Sequence, residues 1–307
     1  MPPRTEGLWL FIALTAFWGG NWLATKILVA EVPPFACAAA RAMLCGAALL
    51  ALAGPRSVGE LLARARWRIV MIGLFNSALA TGTINYGLVR LPSGLSAIVN
   101  NALMPIGLLV FGVLAGEETL SRRRIAGIAL GTLGLALLFA RRAHGAIDAD
   151  AVIGLAAVAF GTLAYCLGSV WCRPLLRYSD PLAVGALQML IGAVFLVALS
   201  AVSERPGPAL LLLPRSPLLL ACLGWIAFAG GAAALVIYMR LIRDWGPARA
   251  GMYAFVTPII ASLLGVVVLG ERLGAAEIAG AAILLAAAAL VLAGRAAPLP
   301  PATTTPP

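Results

Sequence analysis

Residues 105–127, PIGLLVFGVLAGEETLSRRRIAG, recur in altered form as residues 258–280, PIIASLLGVVVLGERLGAAEIAG. One shift of 153 residues aligns a proline, a glutamate, the leucine two residues after that glutamate, and the triplet Ile-Ala-Gly. A chain rich in alanine and leucine matches itself often at apolar positions, but seldom at proline and glutamate. The chain is therefore predicted to contain two copies of one unit.

The similarity extends outward from these stretches, with small changes in the shift that loop-length differences explain. The further pairs, at shifts of 153, 147 and 152 residues, are Ala97 with Ala250, Pro34 with Pro181, and Tyr86 with Tyr238. We therefore divide the chain into a first copy at 1–143, a second copy at 144–297 and a tail at 298–307. The tail is rich in proline and threonine and is predicted to be disordered.

Composition places both copies in a lipid bilayer. Hydrophobic residues make up 62% of the 307 residues and charged residues 11%, whereas a soluble domain carries about 25% charged residues. Ten apolar runs approach the roughly 20 residues that cross a bilayer as a helix, with longer connections only at 54–67, 141–150 and 203–216. The fold class predicted is an all-α integral membrane protein whose ten transmembrane helices lie at 8–28, 35–53, 68–88, 95–115, 122–140, 151–173, 181–202, 217–240, 247–269 and 274–293.

Each copy holds five predicted spans, and five is odd, so the second copy enters the membrane the opposite way up. Inverted repeats of this kind build many secondary transporters. The positive charges set the orientation, since Lys and Arg are in excess on the cytoplasmic side. With the N-terminus inside, 14 basic residues fall on the cytoplasmic side and seven on the other. Both termini are therefore predicted to be cytoplasmic, and the net charge of +10 reflects topology rather than a nucleic-acid partner.

The residues for catalysis or metal binding are missing from the sequence. Its five cysteines lie inside apolar runs and form no C-x-x-C pair, so neither a disulfide framework nor a metal site is predicted. It contains no G-x-S-x-G and no H-E-x-x-H, the patterns that carry nucleophiles and zinc ligands in enzymes. We expect no enzyme and no cofactor. The expected partners are a small-molecule substrate and membrane lipid, and the oligomeric state stays open.

These residues resemble the pattern of the drug/metabolite transporter superfamily, EamA branch. The matching motifs are Trp18-Gly19, Pro34 with Arg41, Pro105 with Glu118-x-Leu120 and Ile125-x-Gly127, and Pro258 with Gly270-Glu271-x-Leu273 and Ile278-x-Gly280. The first copy departs from the family's Gly-Glu by having Glu117-Glu118. The resemblance covers nearly the whole chain and implies a ten-helix bundle in the bacterial cytoplasmic membrane that exports small metabolites. Within the superfamily it is similar to amino-acid exporters of the YddG type.

Prolines interrupt two corresponding spans. Pro105 and Pro258 lie in the middle of spans four and nine, where proline removes a helical hydrogen bond. Corresponding helix breaks in two inverted halves point to a transporter's site, so the two prolines are candidates for helix breaks and gating, with the freed carbonyls near Asn101 and Ala254 facing a cavity. The alternative is a kink that serves packing alone.

Polar and aromatic side chains form stripes along several spans. Trp18, Asn21, Trp22 and Thr25 follow a spacing of i, i+3, i+4 and i+7, which places them on one helix face. We expect such stripes to line a cavity, although each residue alone fits equally well as a hydrogen-bonding contact between helices. The candidate substrate-binding residues are Trp18, Asn21, Trp22, Arg41, Tyr86, Asn100, Asn101, Tyr165, Ser169, Tyr238 and Tyr253. Rings and amides suit an uncharged or zwitterionic solute.

Arg41 is the one charge well inside a predicted span. An ionisable residue at this depth is a candidate for function by default. It has four interpretations: it binds a substrate carboxylate, it donates to a carbonyl at a helix end, it extends toward the membrane surface, or it pairs with an acid such as Glu31.

The twelve acidic residues all lie at or near predicted span ends or in connections. Because proton-coupled carriers usually need an ionisable relay inside the membrane, we expect export driven by the substrate's own gradient through alternating access. Glu118 and Glu271 remain as a coupling pair, against a structural role at helix ends or in ion pairs with Arg122 or Arg272. The alternative function is a multidrug or toxic-compound exporter of the same fold, which would fit proton coupling.

Overall fold

The computed structural model describes residues 4–91, 93–139, 149–204, 216–269 and 274–292. Over these residues the chain is helical, without strands, and forms ten helices in chain order. They are α1 (Arg4–Gly19 and Asn21–Glu31), α2 (Pro34–Leu52), α3 (Pro55–Arg90), α4 (Ser93–Leu114), α5 (Arg122–Phe139), α6 (Ala149–Leu175), α7 (Pro181–Ser203), α8 (Pro217–Trp245), α9 (Pro247–Ala250 and Tyr253–Leu269) and α10 (Ala275–Leu292).

Each of the ten helices overlaps one of the ten predicted spans. Seven of them, α1 to α4 and α6 to α8, are long and apolar enough to cross a membrane by length and composition, within the part of the chain that is described. Of the other three, α5 begins with three arginines, α9 has only 17 residues after its break, and α10 is a short apolar helix. The all-helical membrane class predicted from composition is confirmed. Both chain ends, the 143/144 copy boundary and the tail at 298–307 lie outside the described residues.

The predicted connection at 54–67 is wrong, because these residues are helical. The helix α3 runs for 36 residues from Pro55 to Arg90, about 54 Å at 1.5 Å per residue, which exceeds a hydrocarbon core of about 30 Å. Its first turns therefore extend beyond the core and carry charges such as Arg56 and Glu60, which pair at 3.0 Å. A non-helical backbone at Ala65, with φ −142°, separates this part from the rest. The run of apolar residues predicts the part of the helix that crosses the membrane, but the helix itself continues beyond that part.

Prolines and charged side chains define several helix ends. Five helices begin at a proline, where the missing N–H costs nothing. Glu204 at the end of α7 accepts hydrogen bonds from the backbone N–H groups of Phe35 (2.6 Å) and Ala36 (2.9 Å) in the first turn of α2. The Nζ of Lys26 donates to the carbonyl oxygen of Leu88 at 2.6 Å, at the end of α3. These contacts join helix ends that are distant in sequence and satisfy their unpaired backbone groups.

The packing of the helices has matching partners in the two halves of the chain. Helix α3 packs on α6, and its counterpart α8 packs on α1. Helix α4 also packs on α6, and its counterpart α9 packs on α1. Helix α2 packs on α7, and α5 packs on α10. If each helix of the first half is replaced by its counterpart in the second half, and the reverse, every pairing becomes another pairing of the same set.

Two helices contain a π-helical segment at corresponding positions. In α3 it spans Leu74–Leu79, and in α8 it spans Trp225–Ala233. The shift of 152 residues that aligns Tyr86 with Tyr238 carries the first segment onto 226–231, inside the second. Such segments are rare and occur often at functional sites, and both of these border the cavity described next.

Candidate functional site

A cavity of about 140 Å³ lies among the helices. About 10–15 Å³ of such space holds one water molecule, so the cavity has room for a small solute. Its lining residues are Trp18, Asn21, Trp22, Thr25, Arg41, Cys45, Asn76, Ala80, Thr81, Ile84, Asn85, Leu88, Asn100, Asn101, Met104, Tyr165, Met189, Gly230, Gly231, Leu235, Tyr253 and Thr257. Arg41 is the single charged residue among them.

Helix α1 contributes one continuous wall. The four members of its stripe, Trp18, Asn21, Trp22 and Thr25, all line the cavity. The Trp18 Nε1 (2.9 Å) and the Asn21 Nδ2 (3.0 Å) both donate to the carbonyl oxygen of Gly230 in the π-helical segment of α8. The Gly230 carbonyl of this π-helical segment thus accepts hydrogen bonds from two side chains of α1.

Four aromatic rings form a cluster at one end of the cavity. The Trp18 ring centroid lies 4.4 Å from that of Tyr253 and 5.1 Å from that of Tyr238. Tyr238 also contacts Tyr253 (5.5 Å) and stacks on Tyr165 at 5.7 Å. Because Trp18, Tyr165 and Tyr253 face the cavity while Tyr238 is buried behind them, the cluster presents three rings to a ligand and fixes their orientation with the fourth.

Amide groups from α4 form the next part of the wall. The Thr162 Oγ1 of α6 lies 3.0 Å from the Asn100 Oδ1, and the Asn100 Nδ2 donates to the Asn101 Oδ1 at 3.4 Å. Asn101 is 2% exposed, and its Nδ2 has no hydrogen-bond partner among the described residues. A buried amide donor without a partner is costly, and this one borders a cavity that a ligand can fill.

Arg41 projects from α2 into the same cavity and is half-buried. Its Nε donates to the carbonyl oxygen of Ile226 at 3.1 Å, again in the π-helical segment of α8. Within the part of the chain that the structure describes, no carboxylate lies within ion-pair distance of it, and Glu31 is exposed at the end of α1. The predicted pairing with Glu31 is therefore wrong.

Five of the sequence candidates lie away from the cavity. Tyr86 stacks on Phe35 at 5.8 Å and carries the guanidinium of Arg90 3.7 Å above its ring. Ser169 and Tyr238 are buried behind the lining. Pro105 and Pro258 lie inside continuous helical stretches of α4 and α9, and the break in α9 falls instead at 251–252.

Several cavity residues were missed from the sequence. They include Asn76 and Asn85 of α3, Met189 of α7, and the pair Gly230-Gly231 of α8. Asn76 in an apolar span and two adjacent glycines in another are visible signals in the sequence. The π-helical geometry that turns them toward the cavity leaves no comparable trace.

A cluster of buried charges lies beyond the aromatic rings, on the side of the cavity away from Thr25 and Leu88. The Glu117 Oε2 lies 3.0 Å from the Arg173 Nη1 and 2.6 Å from the Arg177 Nη2. The Glu118 Oε2 lies 2.8 Å from the Arg124 Nη1, and the Glu118 Oε1 accepts from the backbone N–H of Ala248 at 3.1 Å. The cluster joins the α4–α5 connection to the end of α6 and the start of α9. Arg173 follows Tyr165 by eight residues, about 12 Å along α6.

This cluster corrects the predicted partner of Glu118. The sequence predicts Arg122, but Arg124 is the residue that turns inward, because the side of α5 that faces α4 is set by its packing. Burial raises the pKa of the Glu118 carboxyl above its ordinary value of 4.5, while Arg124, the Ala248 N–H and Arg173 oppose this effect. Glu271 and Arg272 lie outside the described residues.

Cofactor or metal ligands are not grouped in the described part of the chain. The described residues contain no cluster of three His, Cys, Asp or Glu that would hold a metal ion. The five cysteines are buried free thiols. The arrangement fits noncovalent binding of a solute.

Comparison with known families gives a match along almost the whole chain. A family described as the EamA-like transporter family matches residues 5–140 and 152–293. The family model thus matches the chain twice, once in each half.

Individual relatives and a solved structure agree with this match. The uncharacterized inner membrane transporter YedA of Escherichia coli (strain K12) is 31% identical over 86% of this chain and 83% of its own length. A probable amino-acid metabolite efflux pump of Salmonella typhimurium is 23% identical over 92% of this chain and 93% of its own. One crystal structure has the same fold, with a TM-score of 0.77, 21% identity, and coverage of 94% of this chain and 97% of that one.

Proposed function

The chain belongs to the EamA-like transporter family, and from this membership we propose that it exports small metabolites, amino acids first among them, across the bacterial cytoplasmic membrane. The observation that carries the proposal is the central cavity, which combines four aromatic side chains, several amides and one guanidinium. Rings cover the hydrocarbon part of a solute and attract an ammonium group, while amides bind its polar ends. An amino acid carries all of these groups.

Alternating access between two inverted halves supplies the mechanism. The pairings that persist when α1–α5 and α6–α10 are exchanged support it, as do the π-helical segments at corresponding positions of α3 and α8. With the N-terminus inside, the cavity lies toward the outer surface, since its lining extends to Thr25 and Leu88. The cluster of Glu117, Glu118 and their arginines then closes the cytoplasmic end. Return to an inward-open state requires these contacts between α6, α9 and the α4–α5 connection to open.

Export driven by the substrate's own gradient is the coupling we propose. The described lining of the cavity contains no carboxylate and no histidine that would exchange a proton with the substrate. Glu118, the acid with the raised pKa, lies outside this lining, in the charge cluster between the α4–α5 connection and the start of α9. The Salmonella relative, named a probable amino-acid metabolite efflux pump, supports amino acids as the substrate class.

Counterflow tests both parts of the proposal. The purified chain is placed in liposomes loaded with unlabelled neutral amino acids, and the uptake of labelled amino acids is followed at two pH values. We expect counterflow that is independent of an imposed pH gradient, and no movement of a cationic dye. Movement of the dye without counterflow of any amino acid would replace the proposal with the multidrug exporter. Uptake that needs a pH gradient would contradict export driven by the substrate's own gradient, and it would make Glu118 the candidate for proton coupling.

A further inference from the structure

The guanidinium of Arg41 is a fixed positive charge inside the cavity. Its single described hydrogen bond uses Nε, which donates to the Ile226 carbonyl at 3.1 Å. A guanidinium carries five N–H donors, and the two terminal nitrogens of Arg41 make no hydrogen bond to the described residues. The Ile226 contact holds the side chain in place without neutralising it, because a carbonyl carries no charge.

Two acids near the start of α2, Glu204 and Glu31, are engaged elsewhere or exposed. Glu204 faces the first turn of α2, where its oxygens accept from Phe35, Ala36 and the Ser200 hydroxyl. Phe35 precedes Arg41 by six residues, about 9 Å along the helix. Glu31 is exposed. A cation within a membrane-spanning helix is costly unless an anion or water compensates it, so the cavity provides a place where a bound anion is favourable.

Two further features of the lining fit the same ligand. The buried Asn101 Nδ2 lacks a described partner and adds a neutral donor to the charged one. The rings of Trp18, Tyr165 and Tyr253 form a separate part of the wall, which suits an apolar group or an ammonium. The cavity therefore has a cationic part and an aromatic part, and no negatively charged side chain among its described residues.

We propose that Arg41 binds the carboxylate of the transported solute. The substrates are then small carboxylates with an apolar or aromatic portion, either zwitterionic or anionic, and the same charge disfavours amides and cationic drugs. The geometry favours this because guanidinium binds carboxylate with two parallel hydrogen bonds, for which the two terminal nitrogens are available. The assignment rests on the proposed function in that it takes the cavity as the transport site.

Matched pairs of acid and amide test the assignment by binding alone. Leucine and phenylalanine are compared with leucinamide and phenylalaninamide, which keep the side chain and the amino group but lack the carboxylate. Equilibrium binding of the labelled compounds is measured with the purified full chain in detergent. We expect the wild type to bind each acid about 10- to 100-fold more tightly than its amide, the range for hydrogen bonds to a charged group. Equal binding of acid and amide, or tighter binding of the amide, overturns the proposal, as does the absence of acid binding.

Variants at Arg41 localise the effect. In Arg41→Met the preference for acid over amide should disappear, and in Arg41→Lys it should persist in weakened form, because a point charge replaces the paired donors. Arg56→Gln is the control, since it removes the same charge from an exposed site, and its preference should match the wild type. A preference that survives in a folded Arg41→Met protein overturns the assignment.

Counterflow of the same compounds separates this proposal from the proposed function. Amino-acid counterflow that continues in Arg41→Met with an unchanged acid-to-amide ratio overturns the role of Arg41 and leaves amino-acid export standing. Arg41-dependent binding of acids without counterflow has the opposite meaning: the carboxylate site stands, and the proposed export of these amino acids fails.

Discussion

Trp9 and Trp18 lie on the same helix and show how differently one residue type is used. Trp9 is 70% exposed on the outside of the bundle, where lipid covers it. Trp18 contacts the rings of Tyr238 and Tyr253, donates to the Gly230 carbonyl and faces the cavity. Aromatic contacts contribute about 0.5–1.5 kcal/mol each beyond burial, so Trp18 orders one wall of the cavity as well as presenting a ring to the solute.

Substitution of Trp18 by alanine should therefore reduce amino-acid counterflow about tenfold or more, the factor that a loss of 1.4 kcal/mol produces. Trp9→Ala is the matched control and should leave the rate unchanged. Initial rates are compared at a substrate concentration well below saturation, with size-exclusion profiles to show that both variants are folded. Equal rates in a folded Trp18→Ala protein would remove this residue from the substrate path.

The π-helical segment of α8 is the element on which the cavity depends. It supplies the Ile226 carbonyl to Arg41 and the Gly230 carbonyl to Trp18 and Asn21. Gly230 has no room for a side chain, since a Cβ there would overlap the Asn21 side chain. The glycine thus permits the close approach of α1 and α8 that brings these three polar groups together.

Two glycines of α8 offer a matched test of this element. Gly230→Ala should displace Asn21, break its bond to the Gly230 carbonyl and impair counterflow severely. Gly224→Ala, in the same helix, places its Cβ where nothing lies within 4 Å and should leave flux intact, with stability equal or slightly higher because alanine favours helix. Thermal unfolding is measured beside flux. Normal flux in Gly230→Ala would show that the approach of α1 to α8 is dispensable.

At the scale of the whole molecule, a sparse set of charges organises the chain. The sequence predicts fourteen basic residues on the cytoplasmic side and seven on the other, and large apolar side chains such as Leu23, Leu114 and Val194 are exposed on the outside of the bundle. The buried acids Glu117 and Glu118 are compensated by Arg124 of α5, Arg173 of α6 and Arg177, which follows the end of α6. Most charges therefore serve orientation or closure, and Arg41 is left for the cavity.

Topology reporters test the inverted arrangement directly. Alkaline phosphatase, which is active outside the cytoplasm, is fused after residue 145 or after residue 307. Five spans precede the first point and ten precede the second, so the fusion at 145 should be active and the fusion at 307 inactive. A fluorescent protein that matures only in the cytoplasm should give the reverse pattern. Activity on the same side at both points would contradict five spans in each half.

The sequence by itself determined the helices, the membrane class and the family. Helix formation and insertion depend on the local run of apolar residues, so ten runs gave ten helices. The family resemblance rests on short motifs that are read along the chain, and the family match confirms it. The stripe of Trp18, Asn21, Trp22 and Thr25 was also readable, because residues at i, i+3, i+4 and i+7 share a helix face whatever surrounds it.

Only the tertiary structure decided which faces meet. It placed Tyr238 behind the lining and Tyr86 outside it, and it paired Glu118 with Arg124 rather than Arg122. It also converted part of α8 into a π-helical segment whose Gly230 carbonyl meets Trp18, 212 residues away in the chain. These outcomes depend on how each helix is rotated about its axis, and that rotation is set by side chains packing between helices, which no local spacing records.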